Sequence, residues 1–388
     1  MNWIKGFIII ALSSVISLKI LDISFGFLYE VPKNVIEVSD RYIPLKEFKI
    51  DQKKSITPSD SYLLGTDSLI KQPYEISIDS NGFINNELNK VDNAKYNIIF
   101  YGGSTTESIF VSENLRFVSL LENKLRKNLD NSLNVYNGGV SGAHSMHSAL
   151  KLIGVGLNMK PQVVVFMHNI NDMATLVRGG SYWSNINSRS ILRDPSRKDI
   201  VGNHFQENPL KITLRKIKNF LVPNLYNYIT PRIKKILSKN FPEAFQENFN
   251  DEFAESRIEI SKENIDHMLE LFERSLRLQI SICKIWDIEP ILMTQFNRIN
   301  LNDQLFLKFS KQFPETSAIQ IMGIYNSFND LIRKVAKDSN ITLIDLDKNL
   351  PKESMYMYDI VHLNDDGSTE VFEIIYPKLV DVLVNLEG

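Results

Sequence analysis

Cysteine is nearly absent from this chain, because Cys283 is the single one among 388 residues. One thiol cannot build a disulfide framework or a cysteine-based metal site. An excess of one charge is also lacking, since 44 Lys and Arg stand against 46 Asp and Glu. The formal charge of −2 gives no reason to expect nucleic acid as a partner. The 43% of hydrophobic residues is ordinary for a globular protein and allows a sizeable core.

A long apolar run occurs at the N-terminus, where residues 6–17 are all apolar or small. A cleaved signal peptide would end in a small-x-small site, and no clear one follows. Residues 4–23 supply the roughly 20 apolar residues of a membrane anchor if Lys19 and Asp22 lie at the far interface. We expect residues 1–29 to be a signal anchor or a signal peptide, with a buried helix as the third alternative. The first predicts a single-pass protein of the cell membrane, and both of the first two place the remaining chain on the periplasmic or extracellular side.

Strands alternate with helices from residue 95 onward, after a polar segment at 30–94 that predicts a stalk and a small packed extension. Short apolar runs indicate five buried strands, at 96–101, 133–136, 162–167, 290–295 and 341–346. Such alternation implies βαβ crossovers. We therefore expect an α/β fold with three layers, α/β/α, around a mostly parallel five-stranded sheet, forming one domain over 95–388.

An insertion interrupts this rhythm at about residues 173–260, which is far longer than an ordinary connection. Between residues 178 and 240 it holds thirteen Lys and Arg against three acids. Loops carried on a rigid scaffold commonly supply specificity, so we expect an inserted helical lid that faces substrate. The alternative is that its bases pair with the acidic stretch 243–263.

Polar, turn-forming clusters follow the strands, where ligands bind in open α/β sheets. They occupy residues 102–107, 137–142, 168–172 and, near the C-terminus, 358–362. Buried apolar strands do not need such clusters in order to fold. The four clusters therefore predict a site at the carboxyl-terminal edge of the sheet.

The residues in these clusters allow acyl transfer. The Ser104 hydroxyl needs a base to become a nucleophile, and His362 can be that base. Asp359 lies three residues earlier, a spacing that lets its carboxylate reach the imidazole Nδ1 and fix its tautomer. Oxyanion donors are expected from the backbone N–H groups of Ser104 and Gly142 and from the side-chain amide of Asn171. The alternatives are a helix cap for Ser104 and ordinary loop positions for the others.

Three more residues near the third cluster are candidates for binding substrate. His168 could line a pocket, and Tyr182 and Trp183 could form a sugar platform, although all three could instead belong to the core. His144 and His147 share a helix face, but no third ligand accompanies them. We therefore expect no metal site and no cofactor.

The four clusters resemble the four blocks of the SGNH/GDSL hydrolases, in the same order and on the same elements. The resemblance covers about residues 95–175 and 285–385, and not the N-terminal segment or the insertion. In the third block Asn169 replaces the glycine of the family, which leaves the backbone beside the oxyanion hole open to question. The matching residues are Gly102-Gly103-Ser104-Thr105-Thr106, Gly142, Asn169-Ile170-Asn171-Asp172, and Asp359 with His362.

This resemblance implies a flavodoxin-like fold and a membrane-anchored serine esterase or acylhydrolase without a cofactor. It would remove or transfer an ester-linked acyl group, such as O-acetyl on a cell-surface glycan, through an acyl-enzyme. The implied partners are an ester substrate, such as an acylated polysaccharide or lipid, and the membrane. The alternative is a catalytically inactive, membrane-tethered glycan-binding or assembly protein on the same fold. An α/β-hydrolase is disfavoured because Thr106 stands where Gly-x-Ser-x-Gly requires glycine.

Overall fold

The structure is a computed structural model of the 388-residue chain. It describes residues 2–29, 45–85, 90–183, 191, 220–222, 224–225, 228–229, 260–310 and 317–386. The chain divides into two compact units, one of Met1–Tyr42 with Gly202–Asn248 and one of Ile43–Val201 with Phe249–Gly388. Each unit has its own internal packing.

The larger unit is built on an eight-stranded sheet with the order β1-β2-β3-β5-β4-β6-β7-β8. Its strands are β1 (Gln52–Ile56), β2 (Tyr74–Ile78), β3 (Ile84–Asn85), β4 (Tyr96–Gly102), β5 (Leu133–Asn137), β6 (Val163–Met167), β7 (Glu289–Met293) and β8 (Thr342–Ile344). Strands β4 to β8 pair in parallel, which confirms the mostly parallel sheet. All five residues of β6 are buried, as expected for a strand covered on both faces.

The prediction of five strands was wrong, because β1, β2 and β3 extend the sheet on one side. They pair antiparallel to one another, and Ile84 of β3 pairs with Asn137 of β5. β1 has no fully buried residue and β3 has only two residues, so neither produces an apolar run in the sequence. The segment predicted as a stalk and extension thus contributes strands to the main sheet. The compact unit that contains this sheet begins at Ile43, and the domain boundary at residue 95 stays a prediction.

Ten helices accompany the sheet in the described part of the larger unit. They are α2 (Asp60–Leu63), α3 (Ser104–Glu107), α4 (Phe117–Asn128), α5 (Ser145–Gly154), α6 (Ile170–Gly179), α7 (Lys262–Ile285), α8 (Gln304–Ser310), α9 (Ala318–Ser339), α10 (Leu346–Asn349) and α11 (Asp365–Asn385). Single 3₁₀ turns occupy Glu113–Leu115 and Gly156–Met159.

Two apolar clusters cover opposite faces of the sheet and give the predicted three layers. Ile99 of β4 belongs to the cluster that includes apolar residues of α5, α6, α7 and α9. Its neighbour Ile98 belongs to the cluster that includes residues of α4 and α11. Because successive side chains of a strand point to opposite faces, the alternation along β4 divides the core in two.

The smaller unit contains α1 (Asn2–Leu28) and short pieces of the insertion. Asp22 is fully buried, and its Oδ1 accepts the N–H of Leu225 at 2.8 Å. Lys19 Nζ donates to the carbonyl of Phe220 at 2.5 Å, and the rings of Phe25 and Tyr228 meet edge to face. Lys19 and Asp22 are thus bonded to the insertion, whereas the anchor prediction placed them at a membrane interface.

The residues that the structure describes include no helix with the length and apolar character that a membrane span requires. The anchor at residues 1–29 therefore stays a prediction. The insertion begins later than expected, because α6 continues to Gly179. Residues 192–219 and 230–259 of the predicted lid, including its basic stretch 211–218, lie outside the described residues.

Candidate active site

Two glycines at the end of β4 allow the chain to turn sharply before Ser104, the first residue of α3. A Cβ on Gly102 would lie 2.1 Å from Thr106 Oγ1, and one on Gly103 would lie 2.0 Å from Asn171 Nδ2. Either contact is too close for a side chain. The two glycines therefore let the chain before Ser104 pass close to Met167 at the end of β6 and to Asn171 at the start of α6.

A continuous chain of hydrogen bonds joins Ser104, His362 and Asp359. Ser104 Oγ lies 2.7 Å from His362 Nε2, and His362 Nδ1 lies 2.7 Å from Asp359 Oδ2. Asp359 Oδ1 accepts the N–H groups of Val361 at 2.9 Å and of His362 at 2.8 Å. These bonds fix the carboxylate on the imidazole, as the spacing of three residues predicted. The arrangement is the one that serine hydrolases use to activate a hydroxyl.

Asp359 is suited to remain ionised in this chain. Burial by itself raises the pKa of its carboxyl, but the charge of His362 and the hydrogen bonds from His362 and the backbone outweigh burial and bring the pKa below its ordinary value. An ionised Asp359 keeps the proton of the neutral imidazole on Nδ1. Nε2 then carries the lone pair that can accept the proton of Ser104.

The imidazole is also supported by an aromatic contact. The Tyr358 ring stacks on the His362 ring with centroids 5.6 Å apart and planes 7° apart. The hydroxyl of Tyr358 lies 3.3 Å from that of Tyr62, on α2. Burial raises the pKa of both tyrosines, so both hydroxyls stay neutral. Helix α2 thus reaches the loop that holds His362.

A tight turn after β5 carries Gly142. The N–H of Ala143 donates to the carbonyl of Val140 at 2.9 Å, and Gly142 has a φ of +71°. A positive φ at the third position of a turn is easily adopted only by glycine. Asn171 Nδ2 donates one of its hydrogens to the carbonyl of Ala143 at 2.8 Å. The structure thus joins the Gly142 turn to Asn171, whose amide packs against Gly103.

Asn169 stands where the family has glycine, and its φ of −173° lies outside the left-handed region that favours glycine. Its Nδ2 donates to the carbonyl of Tyr325 and to Asn329 Oδ1, both at 3.0 Å and both on α9. The side chain thus ties the start of α6 to α9.

Gln295 is a further residue of this region, one that was not predicted from the sequence. Its Oε1 accepts the N–H of Ile170 at 2.8 Å, and its Nε2 donates to Thr105 Oγ1 at 2.8 Å. It therefore connects the helix that begins with Ser104 to the helix that carries Asn171. Gln295 lies two residues after the end of β7, whereas the predicted strand at 290–295 included it, so it did not stand out as a residue that follows a strand.

Two buried carboxyl groups lie close to these residues. Burial raises the pKa of Glu107 to about 7, and the Ser141 hydroxyl donates to it. Burial likewise raises the pKa of Asp172 to about 6. Asp172 accepts the N–H of Ser145 at 3.1 Å and the hydroxyl of Tyr182 at 2.7 Å. Asp172 thus braces the loop.

The three candidate substrate-binding residues differ in exposure. His168 is 2% exposed, its Nδ1 lies 3.8 Å from Asp172 Oδ2, and burial lowers its pKa to about 3. Tyr182 is 1% exposed and bonded to Asp172. Both rings are interior, as the alternative of a core position describes, and a role of either in binding substrate stays a prediction. Trp183 is half-buried, so its role stays a prediction.

The histidine pair at the start of α5 is structural. The rings of His144 and His147 lie 3.9 Å apart, and their side chains form a capping box at the helix N-terminus. Across the described ranges, no group of three His, Cys, Asp or Glu side chains could hold a metal ion.

Comparison with known proteins gives structural likenesses alone. No family model matches the chain, and no curated protein matches it. The acetyl xylan esterase AlAXEase is 17% identical with a TM-score of 0.40, over 73% of this chain and 98% of its own. Axe2, an acetylxylan esterase from Geobacillus stearothermophilus, is 15% identical with a TM-score of 0.39, over 73% and 93%. LAE5, an alpha/beta hydrolase enzyme from the metagenome of Lake Arreo, Spain, is 15% identical with a TM-score of 0.39, over 73% and 94%.

Proposed function

We propose that this protein is a serine esterase or acyltransferase that acts on an ester-linked acyl group through an acyl-enzyme on Ser104. One observation carries the proposal. Ser104 Oγ, the two ring nitrogens of His362 and the carboxylate of Asp359 form one chain of 2.7 Å contacts. A helix cap or an ordinary loop position does not require these three side chains to meet across 258 residues of sequence.

In the first half of the reaction, Ser104 Oγ attacks the acyl carbonyl carbon while His362 Nε2 takes its proton. Asp359 stabilises the imidazolium. The carbonyl oxygen becomes an oxyanion, and it accepts hydrogen bonds from the N–H groups of Ser104 and Gly142 and from the amide of Asn171. The imidazolium then gives its proton to the leaving alkoxide, which departs as an alcohol.

In the second half, His362 Nε2 takes a proton from a water molecule, and the resulting hydroxide attacks the acyl-enzyme. The new tetrahedral intermediate collapses, the acid leaves, and Ser104 recovers its proton from the imidazolium. An acceptor hydroxyl in place of water completes an acyl transfer by the same steps. We propose the group to be small, such as acetyl, on a cell-surface glycan. The family resemblance and the thirteen bases between residues 178 and 240 support this choice.

The test combines chemistry and labelling. Wild type is expected to release acid from a panel of acetyl and longer acyl esters and to react with a fluorophosphonate probe, whereas Ser104→Ala does neither. If the probe did not label wild type, this result would favour the alternative, a catalytically inactive glycan-binding or assembly protein. Equal ester cleavage by both proteins would refute Ser104 as the nucleophile.

We also propose that residues 1–29 hold the chain at the membrane with the remainder outside the cytoplasm. The uninterrupted apolar run at 6–17 supports this. A C-terminal reporter that functions only outside the cytoplasm should be active. Activity of a cytoplasm-only reporter at the same position would overturn the proposal.

A further inference from the structure

The turn that carries Gly142 is held on both sides by serines that donate to buried carboxyl groups. On one side the Ser141 hydroxyl donates to Glu107 Oε2. On the other side the Ser145 hydroxyl and N–H donate to Asp172. Glu107 is the last residue of α3, the helix that begins with the nucleophile. Asp172 directly follows Asn171 on α6. Each carboxyl thus links the Gly142 turn to an element that carries another proposed oxyanion donor.

The Glu107 side of the turn is packed very closely. A Cβ on Gly139 would lie 2.3 Å from the backbone nitrogen of Glu107, so the chain after β5 runs directly over the end of α3. Asn137 Nδ2 donates to the carbonyl of Thr106 at 2.9 Å. Glu107 itself is 2% exposed. Burying a carboxyl group is costly, and the Ser141 hydroxyl offsets part of that cost.

The two sides are not equally secured. Asp172 accepts from Ser145 and from the Tyr182 hydroxyl at 2.7 Å, and the Ser275 hydroxyl also donates to Ser145. Among the described side chains, Ser141 is the one that donates a hydrogen bond to Glu107. The Ser141 backbone also hydrogen-bonds to Glu107, so loss of the hydroxyl bond would loosen one side of the turn, while the Asp172 side stays fixed.

We propose that Glu107 is a positioning residue for the oxyanion hole, and that it acts by accepting the Ser141 hydroxyl and so fixing the Gly142 N–H relative to Ser104. The inference rests on the proposed function, in which Gly142 donates to the oxyanion. Because an oxyanion donor acts in the transition state, a misplaced Gly142 lowers kcat and leaves substrate binding nearly intact.

The kinetic test uses p-nitrophenyl acetate with Ser141→Ala, Glu107→Ala and Glu107→Gln. Ser141→Ala and Glu107→Ala should each lower kcat by about 10- to 100-fold, which is no more than the removal of an oxyanion donor costs. KM should stay within about twofold of wild type. Glu107→Gln keeps an acceptor oxygen for Ser141 and should retain most of kcat. The double Ala variant should be no worse than the poorer single one, because both remove the same bond.

Ser112→Ala is the matched control, because it also removes a serine hydroxyl bonded to a carboxylate, at 2.6 Å from Asp365 Oδ2, but not on the Gly142 turn. It should keep kcat near wild type. Fully additive losses in the double variant, or losses in KM alone, would overturn the inference. A glutamine variant as poor as the alanine one would do the same.

A second measurement does not depend on activity. Amide hydrogen exchange of peptides that cover residues 138–146 should be faster in Ser141→Ala and Glu107→Ala than in wild type, and unchanged in Ser112→Ala. Unchanged exchange in all three variants would show that Glu107 does not hold the turn. If wild type showed no ester cleavage that depends on Ser104, but the two variants still exchanged faster, the proposed function would fail. The Ser141–Glu107 link would then remain.

Discussion

The Tyr358 ring lies nearly parallel to the His362 imidazole, 7° apart in plane and 5.6 Å between centroids. The N–H of Tyr358 also donates to the carbonyl of His362 at 3.0 Å, and Met357 forms an isolated antiparallel bridge with Leu363. These contacts hold the loop that contains Asp359 as a short hairpin-like unit. The ring is therefore a packing surface for the imidazole, and its hydroxyl bonds outward to Tyr62.

This relationship predicts different effects for the ring and the hydroxyl of Tyr358. Tyr358→Leu removes the stacking surface and should lower kcat on the order of tenfold, because catalytic side chains must be held to within a fraction of an ångström. Tyr358→Phe keeps the ring and should stay within about twofold of wild type. Steady-state kinetics on one small ester checks both. A larger loss in the Phe variant than in the Leu variant would assign the function to the hydroxyl.

The hydrogen-bonded chain predicts that Ser104, His362 and Asp359 act as one unit. Ser104→Ala and His362→Ala should each reduce turnover to a small residue, and Asp359→Ala should be somewhat milder. The double variant of Ser104 and His362 should be no worse than either single one, because both remove the same nucleophilic step. Single-turnover release of acid measures these losses. If the loss in the double variant equalled the product of the two single losses, Ser104 and His362 would act independently.

The contact between Gly103 and Asn171 predicts that two different substitutions share one kinetic signature. Asn171→Ala removes a proposed oxyanion donor and should lower kcat by about 10²–10³ with KM nearly unchanged. Gly103→Ala places a Cβ 2.0 Å from Asn171 Nδ2 and should displace the same amide. Both variants should therefore lose kcat. A loss confined to KM in either would make Asn171 a substrate-binding or turn residue.

Burial of Glu107 predicts a pH-dependent change in stability. Its carboxyl ionises near 4.5 when unfolded and near 7 when folded, so the folded state binds more protons between these values. This group's contribution to the free energy of unfolding therefore falls as pH rises from about 4.5 to 7. Glu107→Gln has no carboxyl that titrates, so it does not lose stability in this way. From pH 4.5 to 7 the free energy of unfolding of the variant should therefore rise relative to that of wild type by on the order of 3 kcal/mol.

Urea unfolding at pH 5 and pH 8 checks this prediction. Asp172, whose pKa is also raised by burial, is present in both proteins, so its effect cancels in the comparison. A constant difference between wild type and Glu107→Gln at the two pH values would contradict a buried, late-titrating Glu107.

The sequence predicted the parallel part of the fold because those strands are continuous apolar runs that end in turn-forming clusters. The same criterion missed β1, whose residues 53–55 are all exposed. Partners far apart in sequence were also missed. Gln295 lies 190 residues from Thr105, and Ser141 lies 34 residues from Glu107, so no local pattern relates them. The lid at 173–260 stays a prediction, since most of it lies outside the described residues.

The two ends of the described sheet carry features that resist aggregation. β1, at one end, presents Lys53 and Lys54 to solvent next to exposed Ser55. β8, at the other end, has three residues and offers little unpaired backbone. Lysines on an edge strand disfavour pairing with a second chain, because the incoming strand would have to cover their charge. A very short edge strand does the same, because it offers few backbone groups for pairing. The polar N-terminal segment thus protects the apolar parallel strands from joining those of another molecule.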